Sequence, residues 1–214
     1  MPRRKRVATG GFLFHVLNRA VAREKIFWKP DDYLAFETVL QEAGERVPMR
    51  LLSYCVMPNH WHLVLWPRGD DDLSGYMRWL TVTHAKRWHS HYHSSGSGAL
   101  YQGRFKSFPI EQDEHFLTVC RYVERNPLRA KLVDRAQEWR WCSLWHRAQG
   151  SRVVSLAAWP VPAGREWVSH VCPEGTSLGQ PRVKRRERSE RRATLGRREI
   201  FRNKTPQGWT YIGR

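Results

Sequence analysis

The chain has 214 residues, 41% of them hydrophobic and 27% charged, with 37 Lys and Arg against 20 Asp and Glu for a net charge of +17. That length supports one folded domain with an extension, and the apolar content suffices for a real core. No apolar run approaches the roughly 20 residues needed to span a bilayer.

The basic start, MPRRKRVATG, lacks the apolar run and small-residue cleavage site of a signal peptide. The four cysteines, Cys55, Cys120, Cys142 and Cys172, form no CxxC pair, which argues against a disulfide framework or a zinc knuckle. A cytoplasmic, nucleoid-associated protein with reduced thiols is the expectation. The excess positive charge is the footprint of a polyanion binder, because each neutralised phosphate releases counterions. Eleven basic and three acidic residues lie between Arg182 and Lys204, so about half of that excess sits in a tail.

In chain order, GFLFHVLNR (11–19) alternates as a strand. KPDDYLAFETVLQEAGER opens with Pro30, Asp31 and Asp32 and predicts a helix with Tyr33, Phe36, Val39, Leu40 and Ala43 on one face, stopping near Gly44. Residues 49–57 and 60–66 predict two strands joined tightly at Pro58–Asn59, an antiparallel hairpin. DDLSGYMRWLTVTHAKRWHSHYH predicts a second helix, and SSGSG (94–98) a connector. LYQGRFKSFPIE predicts a fourth strand, and DEHFLTVCRYVERN a third helix closed by Pro127.

Strand, helix, strand, strand, helix, strand, helix is the order of an α+β protein. It fits a ferredoxin-like sheet of four antiparallel strands with helices on one face. The boundaries expected are a basic arm at 1–10, a core domain at 11–133, a Trp- and Pro-rich packed extension at 134–168, and a basic, disordered tail at 169–214.

CVMPNHWHLVLWP (55–67) carries the chemistry. On a strand, His60, His62 and Val64 point one way and Trp61, Leu63 and Leu65 the other. Two imidazoles on one face can chelate a divalent ion such as Mg, Mn or Zn; equally, the pair can sit hydrogen-bonded and inert at a sheet edge. A partner is available in CRYVERNP, where Tyr122 and Asn126 lie one helical turn apart beside the apolar stripe of Phe116, Val119, Cys120 and Val123. A phenol beside a metal can act as a nucleophile on a phosphodiester, and the Asn126 amide oxygen can add a ligand. Packing for Tyr122 and helix capping for Asn126 are the plain alternatives.

Arg104 and Lys106, interleaved with Tyr101, Phe105 and Phe108, suit a single-strand groove in which rings stack bases and cations hold phosphates. Arg121, Arg125 and Arg129 add charge around the third helix. His15 and Arg19, on the strand expected beside the histidine pair, are further DNA-binding candidates. The cluster WHSHYH reads as the solvated end of a helix.

Taken in series, YCVMPNHWHLVLWP, LYQGRFKSF, CRYVERNPLRAKLV and EWRWCSL resemble the REP-associated tyrosine transposases, of the HUH single-tyrosine transposase superfamily. The resemblance runs from about Gly11 to Leu144. It implies that His60 and His62 bind a divalent ion, Mg or Mn, that Asn126 supplies a third ligand, and that Tyr122 is the nucleophile. It further implies an enzyme that cleaves and rejoins single-stranded DNA at hairpin-forming palindromes through a 5′-phosphotyrosine link. A non-catalytic hairpin-binding descendant is the alternative, because the tail after Val168 departs from the family pattern. A monomer is expected rather than a homodimer.

Overall fold

The computed structural model describes residues 8–110, 113–150, 153–162, 164 and 167–171. Four strands, β1 (Leu13–Arg19), β2 (Arg50–Met57), β3 (His60–Trp66) and β4 (Lys106–Ile110), form one sheet in the order β2-β3-β1-β4. Every pairing is antiparallel. This is the expected ferredoxin-like sheet, and it makes β1 and β3 the two central strands.

Alternation divides the sheet into two faces. Phe14 and Val16 of β1, Trp61, Leu63 and Leu65 of β3, and Tyr54 and Val56 of β2 are buried in one core with helices α1 (Pro30–Arg46) and α2 (Asp72–His91). Each such large side chain contributes about 1.5–3 kcal/mol by leaving water. Helix α1 starts at Pro30, whose missing N–H costs nothing there. The buried Asp32 carboxylate accepts the backbone N–H groups of Trp28 and Lys29 at 2.7 and 3.1 Å. The helix passes the expected stop at Gly44, which stays out of the left-handed region, and ends at Arg46.

The expectation of helices on one face holds for α1 and α2 but not for α3 (Asp113–Glu124). That helix lies across the opposite face, where Phe116, Cys120 and Val123 form a second core with Leu52, Cys55, Met57, Val64 and Ile110. A chain that leaves an edge strand can return over either face, and the apolar residues of β2 and β3 point both ways. β4 is also shorter than the reading of 100–111: it begins at Lys106, and Tyr101 reaches the sheet through a single bridge to Ala20.

Beyond α4 (Asn126–Arg129), the chain runs along the free edge of β2 and covers it, which blunts the edge against pairing with another chain. Val56 N–H donates to the Trp141 carbonyl at 2.8 Å, and Ala157 N–H donates to the Leu51 carbonyl at 2.8 Å. Helix α5 (Ser143–Gln149) packs on β2, and helix α6 (Trp167–Val171) packs on α3. Val171 is fully buried, so packing continues three residues past the expected edge at 168. The remainder of the anticipated tail, and the arm up to residue 7, lie outside the described residues. Among those described, Cys55, Cys120 and Cys142 are free and buried, and no helix is long and apolar enough to cross a membrane.

Candidate active site

The face under α3 is the one to which alternation sends His15, Leu17 and Arg19 of β1, His60 and His62 of β3, and Lys106 and Phe108 of β4. The register sets Arg19 opposite His60 and Leu17 opposite His62, with Lys106 opposite Leu17 and Phe108 opposite His15. The histidine pair thus stands on an inner strand of the sheet, at its start, rather than on an edge strand. The His60 and His62 rings are 5.1 Å apart and nearly perpendicular.

Tyr122 reaches this face from the last turn of α3. Its ring meets His62 edge-on at 5.7 Å and His15 at 5.9 Å between centroids. It keeps 40% of its surface exposed, and the Arg129 guanidinium lies 5.4 Å over the ring. Asn126 donates its amide N–H to the Tyr122 carbonyl at 2.8 Å and so closes the end of the helix. Capping is therefore the part its amide nitrogen plays, while the amide oxygen is the atom suited to a ligand role.

The hydrogen bonds bear on which ring nitrogens are free. His60 Nδ1 lies 2.6 Å from Asn59 Oδ1, and the Asn59 amide is fixed by donating from Nδ2 to the Arg23 carbonyl at 2.8 Å. A carbonyl oxygen only accepts, so His60 carries its proton on Nδ1 and presents the lone pair of Nε2. His62 Nδ1 lies 2.9 Å from His15 Nε2, with the two rings stacked. Burial holds the His15 imidazole down to about 4. Burial, helped by the Arg19 cation, does the same for His60, also to about 4. His62 is pushed well below the usual range by burial first, then by His60, His15 and Arg19. All three rings are neutral at pH 7, the form in which imidazole binds a metal. No group of three or more His, Cys, Asp or Glu side chains suited to a metal occurs among the described residues. Any ligand set here therefore needs an amide, water or substrate oxygen beside the two histidines.

The structure sorts the remaining candidates. Arg19 lies beside the histidines, and its Nε is buried without a hydrogen-bond partner. Lys106 and Arg129 are exposed at the rim. Arg104 is exposed as well, but it sits in the loop before β4 rather than on the strand, so it does not alternate with Lys106 as expected. Arg121 and Arg125 are half-buried. Of the three aromatics around Lys106, Tyr101 and Phe105 are buried, and Phe108 alone is open, with 50% exposure and its ring 6.2 Å from that of His15. His89, of the second histidine cluster, bonds Ser94 Oγ at 2.9 Å.

One anchor escaped the sequence reading. Glu124, at the end of α3 two residues past Tyr122, is fully buried. Its carboxylate accepts from Ser143 Oγ at 2.6 Å, from Ser53 Oγ at 3.2 Å, from Trp167 Nε1 at 2.7 Å and from Arg147. A bulge in β2 between Leu51 and Ser53 faces this cluster, and the Leu52 carbonyl accepts from Trp159 Nε1 and Arg147. A charged residue in VERNP was the one available signal, and it reads as solvated until the extension folds over it.

Comparison with known proteins bears on the fold and the family. The chain is similar over 125 residues, at 22% identity, to a Haemophilus influenzae protein named as a REP-associated tyrosine transposase, covering 54% of this chain and 70% of that one. It superimposes with a TM-score of 0.55 and 21% identity on a solved REP-associated tyrosine transposase bound to a REP hairpin, covering 76% of this chain and 94% of that one, a likeness of fold. A family model described as "Transposase IS200 like" matches residues 9–126, the stretch that holds the sheet, the histidine pair and Tyr122. The chain belongs to the IS200-like transposase family.

Proposed function

We propose that this protein cleaves and rejoins single-stranded DNA beside hairpin-forming repeats, with Tyr122 as the nucleophile. The observation that carries the reading is the placement of an exposed phenol edge-on to His62 and His15, on the sheet face that also carries His60. Tyr122 Oη attacks the phosphorus, the P–O3′ bond breaks, and the 3′-oxygen departs as a hydroxyl. A 5′-phosphotyrosine link is left, and attack on it by a 3′-OH restores the phosphodiester and frees the phenol. The exchange conserves the number of phosphoester bonds, so no external energy source is required.

His60 through Nε2, His62 through Nε2 and Asn126 through its amide oxygen would hold a divalent ion, Mg or Mn. When bound, the ion would draw charge from a phosphodiester oxygen and ease attack. His62 offers Nε2 only when its Nδ1 carries the proton and His15 Nε2 accepts it, so His15 would set that tautomer. Arg19, Lys106 and Arg129 would line the path of the strand, with Arg104, Arg121 and Arg125 farther out. The catalytic unit is assigned to residues 11–133, acting as a monomer in the cytoplasm.

The test is a labelled single-stranded hairpin from the repeats of the encoding genome, incubated with Mg or Mn and resolved on a denaturing gel. A covalent adduct absent from Tyr122→Phe is the expected result. Tight hairpin binding with no adduct under either metal would replace this reading with a non-catalytic hairpin binder.

A further inference from the structure

Trp28 is the most exposed large apolar side chain among the described residues, at 61%, while its neighbours Ile26 and Phe27 are buried. A loose loop would account for such a ring, but this segment is fixed at every step. Ile26 and Phe27 donate their backbone N–H groups to the Pro58 carbonyl at 2.9 and 3.2 Å. Trp28 N–H donates to Asp32 Oδ2 at 2.7 Å, and Trp88 Nε1 donates to the Ile26 carbonyl at 2.8 Å. Upstream, Ala22 and Arg23 both take left-handed backbone angles, φ 54° and 60°, an arrangement side chains larger than glycine adopt only when their surroundings enforce it. The ring is therefore held out rather than left out.

Its surroundings are cationic. Lys25 Nζ lies 5.8 Å over the Trp28 ring, and Arg23 and Lys25 are exposed. Glu24 and Asp31 are the exposed acids nearby, whereas Asp32 is turned inward to the helix start. Val21 is the other large apolar side chain exposed in this loop, so the patch is a single ring among charges rather than an apolar face for another protein.

The loop is also coupled to the candidate site. One side chain, Asn59, accepts from His60 Nδ1 at 2.6 Å through Oδ1 and donates to the Arg23 carbonyl at 2.8 Å through Nδ2. The backbone that carries the ring and the strand that carries His60 are thus joined through the turn between β2 and β3.

We propose that Trp28 is a stacking platform for an unpaired base of the DNA strand that passes His60, with Arg23 and Lys25 holding the adjoining phosphates. The inference rests on the DNA-processing reading above and adds to it where the strand goes. A preorganised ring flanked by cations suits single strands because every base offers a π-face, and one stacked base changes affinity roughly 5- to 100-fold.

The experiment uses the full chain and fluorescent hairpins from the repeats of its genome, either blunt or with unpaired flanks on both sides of the stem. Trp28→Ala should weaken binding of the flanked hairpin about 10-fold and leave the blunt hairpin unchanged, and Trp28→Tyr should recover most of the loss. Equal affinity of wild type and Trp28→Ala for the flanked hairpin overturns the proposal, as does an equal loss on both hairpins. A fall in the mass of the free protein in Trp28→Ala, measured by light scattering, would instead make the ring a contact between copies of this chain. If the wild type binds neither hairpin, the DNA-processing reading fails too; if it binds both and Trp28→Ala is silent, only this inference does.

Discussion

Tyr122 stands edge-on to His62, with centroids 5.7 Å apart and planes at 88°, although sixty residues and two secondary-structure elements separate them in the chain. His62 is almost wholly buried and Tyr122 is 40% exposed, so the phenol sits at the boundary between the sheet and solvent. A strand laid across the face would meet the exposed Tyr122 side chain before the buried His62 imidazole.

Replacing Tyr122 by Phe removes one hydroxyl from an exposed ring. The unfolding midpoint should stay within the roughly 0.5 kcal/mol typical of surface changes, and hairpin affinity should be retained. The rate of adduct formation should fall by about 10³-fold or more, since the proposed nucleophilic atom is gone. An adduct of undiminished rate would assign the nucleophile elsewhere.

Chelation should separate binding from chemistry. With EDTA present, adduct formation should cease while a gel shift of the hairpin persists, and added Mg or Mn should restore cleavage. His60→Ala should not be rescued by either ion at concentrations that saturate the wild type. Cleavage surviving exhaustive chelation would remove the ion from the mechanism.

The buried histidines predict an acid-side loss of stability. His15 and His60 fall from 6.5 to about 4 on folding, and His84, buried against Tyr101, to about 3. Protons therefore bind the unfolded chain more tightly than the folded one. The stabilisation is complete above pH 6.5 and is lost as pH falls toward 4, at about 2–3 kcal/mol for each histidine. The urea midpoint should drop between pH 7.5 and 4.5, with a shallower drop in His15→Asn. A wild-type midpoint flat over that window would contradict the burial of these rings.

Glu124→Ala should be among the most destabilising single changes in the chain. It strips four donors of their acceptor and leaves Arg147 facing a buried void. Removing one member of a buried pair costs about 3–5 kcal/mol, and the lower end applies because Arg147 keeps 29% of its side chain exposed. Trp167→Phe, which deletes one N–H donor to the same carboxylate, should cost about 1.5–3 kcal/mol. Chemical denaturation of the two variants measures both, and a neutral Glu124→Ala would show that the extension does not hold α3.

How much of this was legible in the sequence depended on range. Alternation in HWHLVLW is local, so it fixed which side chains of β3 share a face, and the seven-element order followed from periodicities that each span only a few residues. Tyr122 and Asn126 could be paired by helical spacing alone. Three things were decided only in three dimensions. β4 pairs with β1, which sets Phe108 beside His15 and Lys106 beside Leu17; α3 crosses the face opposite α1 and α2, which brings Tyr122 over His62 and His15; and the extension folds back, which turns Glu124 from a surface charge into a buried anchor. Periodicity states which residues of one element share a side, but it carries no information about which element will cover that side. That choice belongs to the packing of whole surfaces, where burying apolar area competes with the cost of closing each loop.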